Sequence, residues 1–196
     1  TASTGMDALT HAMESYISTM NSIPAKAMSL KAAELIYKWL PVAYKDGKNK
    51  EARAYMLLGS MMTGFAFTNT SLGIVHAFAH PFSAHCGLPH GLANAIALPY
   101  GIEFNAVAVP QEIKELGVAM GLDVKDLSPE EASKVVVQAL KDLCKELDIP
   151  TLSGAGVKKE QLPELAEAII NEKGSLATNP RELTIEQVSE MLERMF

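Results

Sequence analysis

No stretch of this chain alternates apolar and polar residues for long enough to predict a strand, while apolar residues recur at three- and four-residue steps almost from end to end. That property confines the fold to packed helices. Met6, Leu9, Met13, Tyr16 with Ile17, and Met20 mark an amphipathic helix that opens the chain. Asn21-Ser22-Ile23-Pro24 reads as a turn, and Pro24 suits the start of a second helix over Ala25 to Leu40, which Pro41 should stop. After an exposed loop at Lys45-Asp46-Gly47-Lys48, a helix from about Asn49 to Thr68 is apolar around most of its circumference and is expected to sit centrally. Its Gly59 and Gly64 suggest close approach of a neighbouring backbone. Beyond Asn105, Gln111 to Met120 predicts a short helix ended by Gly121. Ser128-Pro129-Glu130-Glu131 is a capping box that opens a helix ending before Pro150. Gln161 to Asn171 predicts another, stopped near Gly174, and Thr184 with Gln187 caps a last one running to about Phe196. The fold class is therefore all-α, a multi-helix bundle. A seam near Pro110 or Leu127 divides faces that are apolar on both sides, so residues 1–196 are kept as one domain.

Composition narrows the function classes. With 48% hydrophobic and 20% charged residues the chain can bury a core. A net charge of -6 and the lack of a basic stripe argue against a nucleic-acid or anionic-membrane partner. The longest apolar stretch, from about Ala52 to Phe67, is interrupted by Arg53, Gly59, Ser60, Thr63 and Gly64, so it does not predict a bilayer span. Cys86 and Cys144 cannot build a disulfide framework, which fits a reducing compartment, and the expectation is a cytoplasmic protein. Thr1-Ala2-Ser3-Thr4-Gly5 carries neither an initiator Met nor the basic and apolar regions of a signal peptide, as expected if a signal or a whole domain has been removed.

The histidines carry the chemistry. His11 follows Asp7 by four residues, so on a helix a carboxylate and an imidazole project from one face, a pairing that suits a divalent cation and equally an ordinary solvated pair. Glu14 lies on the same side, either as a partner of a ligand, as plain surface charge, or as a reserve carboxylate. The other four, His76, His80, His85 and His90, crowd into a single apolar segment. A buried imidazole needs a partner for both nitrogens, and four in one such segment point to metal or catalysis. Pro81 is expected to disturb the helix carrying His76. Gly87 and Pro89 should then turn the chain so that His90 falls in the first turn of the next helix, whose positive end keeps its ring neutral. Residue types alone leave the ligand choice open: His76 and His80 are themselves four apart, and His85 with Cys86 is a rival pair that would favour zinc.

Taken together, T-G-M-D-A-L-T-H-A-M-E near the start, H-A-F-A-H-P-F-S-A-H-C-G-L-P-H-G-L-A-N-A-I-A-L-P-Y further on, and the tail Thr178-Asn179-Pro180-Arg181-Glu182-Leu183-Thr184 resemble the iron-containing (group III) alcohol dehydrogenases. These include lactaldehyde reductases, 1,3-propanediol dehydrogenases and butanol dehydrogenases. The resemblance implies that Asp7, His11, His76 and His90 ligate one metal. It also implies that His80 stands beside the reaction centre, close to nicotinamide and substrate without coordinating. His85 matches no recurrent position and receives no role, and Ser83 stands where many members have glycine. The implied cofactors are Fe(II), replaceable by zinc or another divalent ion, and NAD or NADP. The implied reaction interconverts a primary or secondary alcohol and its aldehyde or ketone by hydride transfer, with the metal polarising the substrate oxygen. Members carry an N-terminal nucleotide-binding α/β domain. No G-x-G-x-x-G loop occurs here, so the chain matches the C-terminal helical half, with that missing domain as its partner and the isolated chain expected to be inactive. A homo-oligomer stays open. The competing readings are a glycerol dehydrogenase or dehydroquinate synthase-like half, against which the presence of His11 counts, and a non-catalytic helical assembly domain.

Overall fold

A computed structural model describes residues 1–20 and 22–196. Among them the regular structure is helical throughout: α1 (Ala2–Ile17), α2 (Ile23–Lys45), α3 (Lys50–Phe67), α4 (Ile74–Cys86), α5 (His90–Asn105), α6 (Pro110–Ala119), α7 (Pro129–Glu146), α8 (Leu162–Ile170), α9 (Lys173–Leu176) and α10 (Ile185–Met195), with one 3₁₀ turn at Lys159–Gln161 before α8. The all-α bundle expected from the periodicity is what forms. Both capping boxes are made, Ser128 with Glu131 and Thr184 with Gln187.

The central helix is α1, not α3. Met6, Leu9, Ala12 and Met13 are fully buried, and α1 packs against α2, α3, α5 and α6. It is close-packed at Gly5, where an added Cβ would lie 2.2 Å from Leu40 Cδ1. By contrast, α3 buries only Ala52, Gly59, Thr63 and Ala66 and leaves Leu57, Met61 and Phe65 exposed. The reason is steric: its small residues make the face that approaches α2, where a Cβ on Gly59 would come within 2.7 Å of Ile36 Cγ1. A Cβ on Gly64 would meet nothing within 4 Å. Apolar residues around a helix do not by themselves place it at the centre.

Prolines end fewer helices than expected. α2 runs on through Pro41 and α4 through Pro81, while α5 tolerates Pro99. An interior proline costs about 3 kcal/mol. Burying one large apolar side chain returns roughly 1.5–3 kcal/mol, and the flanking residues Leu40, Phe78, Phe82 and Leu98 are all fully buried. Packing therefore overrides the local penalty. The turn expected at 21–24 includes Asn21, outside the described residues. Ser22 caps α2 by accepting from the Ala25 N–H at 3.3 Å, and Ile23 and Pro24 already lie in its first turn. Gly174 sits inside the short α9 and does not mark the stop of α8, which ends four residues earlier at Ile170.

Candidate metal centre

Three helices bring their chemistry to one point. Asp7 projects from α1, His76 from the first turn of α4, and His90 from the first residue of α5. The reversal between α4 and α5 is made by Gly87 at φ +70, where its N–H donates to Ser83 O at 3.1 Å and that of Leu88 to Phe82 O at 3.3 Å. A left-handed residue ends α4 sharply, and glycine takes that conformation without steric penalty. Asp7, His76 and His90 then each offer one ligand atom, all within 4.8 Å of one another. Asp7 Oδ1 is 3.9 Å from His76 Nε2 and 3.7 Å from His90 Nε2.

His76 is oriented by Glu14. This carboxylate is 1% exposed, as is the imidazole it meets. His76 Nδ1–H donates to Glu14 Oε2 at 2.5 Å, and the Val75 backbone N–H donates to Oε1 at 2.6 Å. A buried carboxylate needs such partners, and the unpaired N–H groups at a helix start supply them along with the positive end of the helix dipole. The N-cap of α4 is Gly73, which has no side chain to do this work, and a Cβ there would fall 3.0 Å from Glu14 Oε1 and 3.0 Å from Asn179 Oδ1. Asn179 accepts the Ile74 N–H at 3.1 Å, so the tail motif returns to cap the same helix end. With Nδ1 protonated toward Glu14, His76 turns an unprotonated Nε2 toward Asp7 and His90. Glu14 is thus the orienting partner of a ligand candidate, not surface charge.

His11 shares the pocket without joining the trio. Its ring centre is 4.6 Å from that of His76 and 4.7 Å from that of Phe67, and its Nδ1–H donates to the Asp7 backbone carbonyl at 2.8 Å. Burial lowers the pKa of both His11 and His90. For His11 the neighbouring His76 lowers it further, against the opposing pull of Asp7. For His90 the Asp7 carboxylate opposes burial while His76 and His80 reinforce it. Both imidazoles are biased toward the neutral form that binds a cation.

His80 is 43% exposed, its ring stacked on His90 with centres 5.7 Å apart, and its Nδ1–H donates to Glu172 Oε2 at 3.0 Å. His85 points elsewhere and pairs with Glu164 at 3.1 Å, while Cys86 Sγ accepts from Gln161. The rival pair His85 and Cys86 is therefore not brought to the cluster. One residue that sequence reasoning missed is Asn94, one turn after His90. Its amide nitrogen lies 2.6 Å from Asp7 Oδ1, 3.1 Å from His90 Nε2 and 3.2 Å from His76 Nε2. The available signal was its four-residue spacing from His90, the same spacing that singled out Asp7 and His11.

A carboxylate and two imidazoles with their lone pairs facing one another, one imidazole fixed by a second carboxylate, make a donor set that fits a divalent transition ion with open positions. Helical bundle and site together are those of a candidate metal-carrying domain. The profile of the Fe-containing alcohol dehydrogenase family, C-terminal, matches residues 1–196, and the chain belongs to that family. It is 40% identical over 197 residues to alcohol dehydrogenase 4 of Saccharomyces cerevisiae, covering 100% of this chain and 50% of that protein. Its fold matches the crystal structure of a 1,3-propanediol oxidoreductase with TM-score 0.96 at 36% identity, covering 100% of this chain and 51% of that one. A sulfoacetaldehyde reductase from Bifidobacterium kashiwanohense, solved in complex with NAD+, matches with TM-score 0.87 at 28% identity over 99% of this chain and 49% of that one. The chain spans about half the length of the relatives it matches.

Proposed function

We propose that this chain is the helical, metal-carrying half of an NAD(P)-dependent alcohol dehydrogenase that interconverts an alcohol and its aldehyde or ketone. The observation that carries the reading is the convergence of Asp7, His76 and His90 from three separate helices. In this reading His11 is the fourth ligand, its Nδ1–H tied to the backbone so that Nε2 carries the lone pair. Iron is the metal the family description names; in this reading it is Fe(II), with zinc as the alternative. When bound, the ion supplies Lewis acidity toward an alcohol or carbonyl oxygen. The chain's own groups do the rest: Glu14 fixes the His76 ring, burial keeps His11 and His90 neutral, and His80 stands at the open side as proton relay or substrate-orienting group.

The nucleotide belongs to the remaining half, an N-terminal α/β domain, and the NAD+ complex of the sulfoacetaldehyde reductase supports a nicotinamide cofactor. Residues 1–196 act in this reading as one helical unit. No described helix is long and apolar enough to cross a membrane. Both cysteines are free, as the reducing cytoplasm of this reading would keep them.

Elemental analysis of protein purified without a metal-affinity step tests the metal. About one equivalent is expected, lost in Asp7→Ala and in His76→Ala but kept in His85→Ala; indifference to all three changes rejects the reading. In the full-length enzyme, His80→Ala is expected to keep its metal while kcat falls by about 10²–10⁴-fold. The 196-residue chain alone is expected to hold metal without turning over substrate.

A further inference from the structure

The three converging ligand atoms pose an electrostatic problem that Asn94 addresses. A carboxylate oxygen and two imidazole lone pairs repel one another unless something positive lies between them. Asn94 is completely buried on α5, and its amide nitrogen is the atom that approaches all three, at 2.6 Å from Asp7, 3.1 Å from His90 and 3.2 Å from His76. Its carbonyl oxygen is buried with no hydrogen-bond partner. A buried amide oxygen without a donor is unfavourable, so the side chain keeps this pose for what its nitrogen contacts. Two N–H bonds serve three acceptors, an arrangement suited to holding a cluster together and not to satisfying one bond.

We propose that Asn94 is a positioning residue for the metal site: its amide stands in for positive charge and holds Asp7, His76 and His90 in register before an ion arrives. The inference rests on the metal reading above. Asn94 adds no ligand of its own to that account; it acts through the three residues it touches. An ion takes the same lone pairs and displaces these contacts, so what Asn94→Leu removes, keeping the side-chain bulk and losing both N–H donors, is pre-organisation of the three ligands, and an affinity lower by about 10-fold is expected.

The test titrates Co2+ into the metal-free chain, following both affinity and the visible absorption of the bound ion. Wild type and Asp7→Ala are measured first. If wild type binds no Co2+, the metal reading and the role of Asn94 fall together. If wild type binds one equivalent and Asp7→Ala does not, Asn94→Leu decides the proposal: a weaker affinity with an altered absorption envelope upholds it, while wild-type affinity and envelope overturn it and leave the metal reading standing. Asn94→Asp is the second variant, because it keeps the shape and places a further carboxylate against Asp7. The metal-free form is expected to melt lower than wild type and to gain more from saturating Co2+; an unchanged melting temperature and an unchanged gain would sink the charge-balancing role.

Discussion

Glu14→Ala is expected to lower the melting temperature of the metal-free protein by on the order of 10 °C, followed by circular dichroism. Leaving a buried donor without its acceptor costs about 1–3 kcal/mol for each donor. Here two groups are stranded together, the His76 Nδ1–H and the Val75 N–H that opens α4. In a domain of this size 1 kcal/mol moves the midpoint by about 2–4 °C. Glu14→Gln separates stability from chemistry. Its amide oxygen can still accept the Val75 N–H, but its NH2 faces the nitrogen of His76 that now donates. The ring then does better with Nδ1 as acceptor and the proton on Nε2, which removes the lone pair aimed at Asp7 and His90. The glutamine variant should therefore stay folded with a smaller drop in midpoint and bind divalent metal about 10–100-fold more weakly. Nitrogen-15 spectra of the imidazole would show the tautomer directly. Wild-type affinity in Glu14→Gln would mean that the carboxylate does not set the ring.

What the sequence revealed and what it hid divide along physical lines. Local signals came through: the capping boxes at Ser128 and Thr184, the turn at Gly87 and Pro89 and the helix start at His90 depend on a few adjacent residues, and each forms as read. Asp7 and His11 were visible because a helix stacks residues four apart. The role of Glu14 was only half visible, since an acidic residue on α1 gives no sign of the Gly73 vacancy and the bare α4 N-terminus that it fills. His80 and Glu172 lie 92 residues apart, with α5, α6, α7 and α8 between them, and no local pattern announces the pair. Helix continuity through Pro41 and Pro81 was illegible for a related reason. The penalty is local and the compensating burial comes from other helices. The exposed large residues of α3 make the converse point, since hydrophobic content could not tell which face would meet α2.

Gly91→Ala should impair the site without touching any side chain in it. Gly91 sits in the first turn of α5, beside His90, against the start of α1. An added Cβ would lie 2.7 Å from Ser3 O, 2.9 Å from Ser3 C and 3.3 Å from Thr4 N. These are backbone atoms and cannot rotate away, so the two helices must separate. Overpacking of this kind costs about 1–3 kcal/mol, against a gain of roughly 0.5–1 kcal/mol from replacing a helical glycine. The midpoint should fall by no more than about 10 °C. The larger effect is on metal: α1 carries Asp7 and α5 carries His90 and Asn94, whose contacts span 3.7 Å and 2.6 Å across this junction. Ligands must be held to about 0.5 Å to act as one site, and a shift that relieves a 2.7 Å clash exceeds that. A loss of metal affinity on the order of tenfold or more is expected. Gly64→Ala provides the control, since its Cβ would meet nothing within 4 Å on the open side of α3. That change should leave metal binding alone and stabilise the chain by about 0.5–1 kcal/mol. If Gly91→Ala instead matches Gly64→Ala in both melting and metal titration, the contact between the starts of α1 and α5 does not hold the ligands in register.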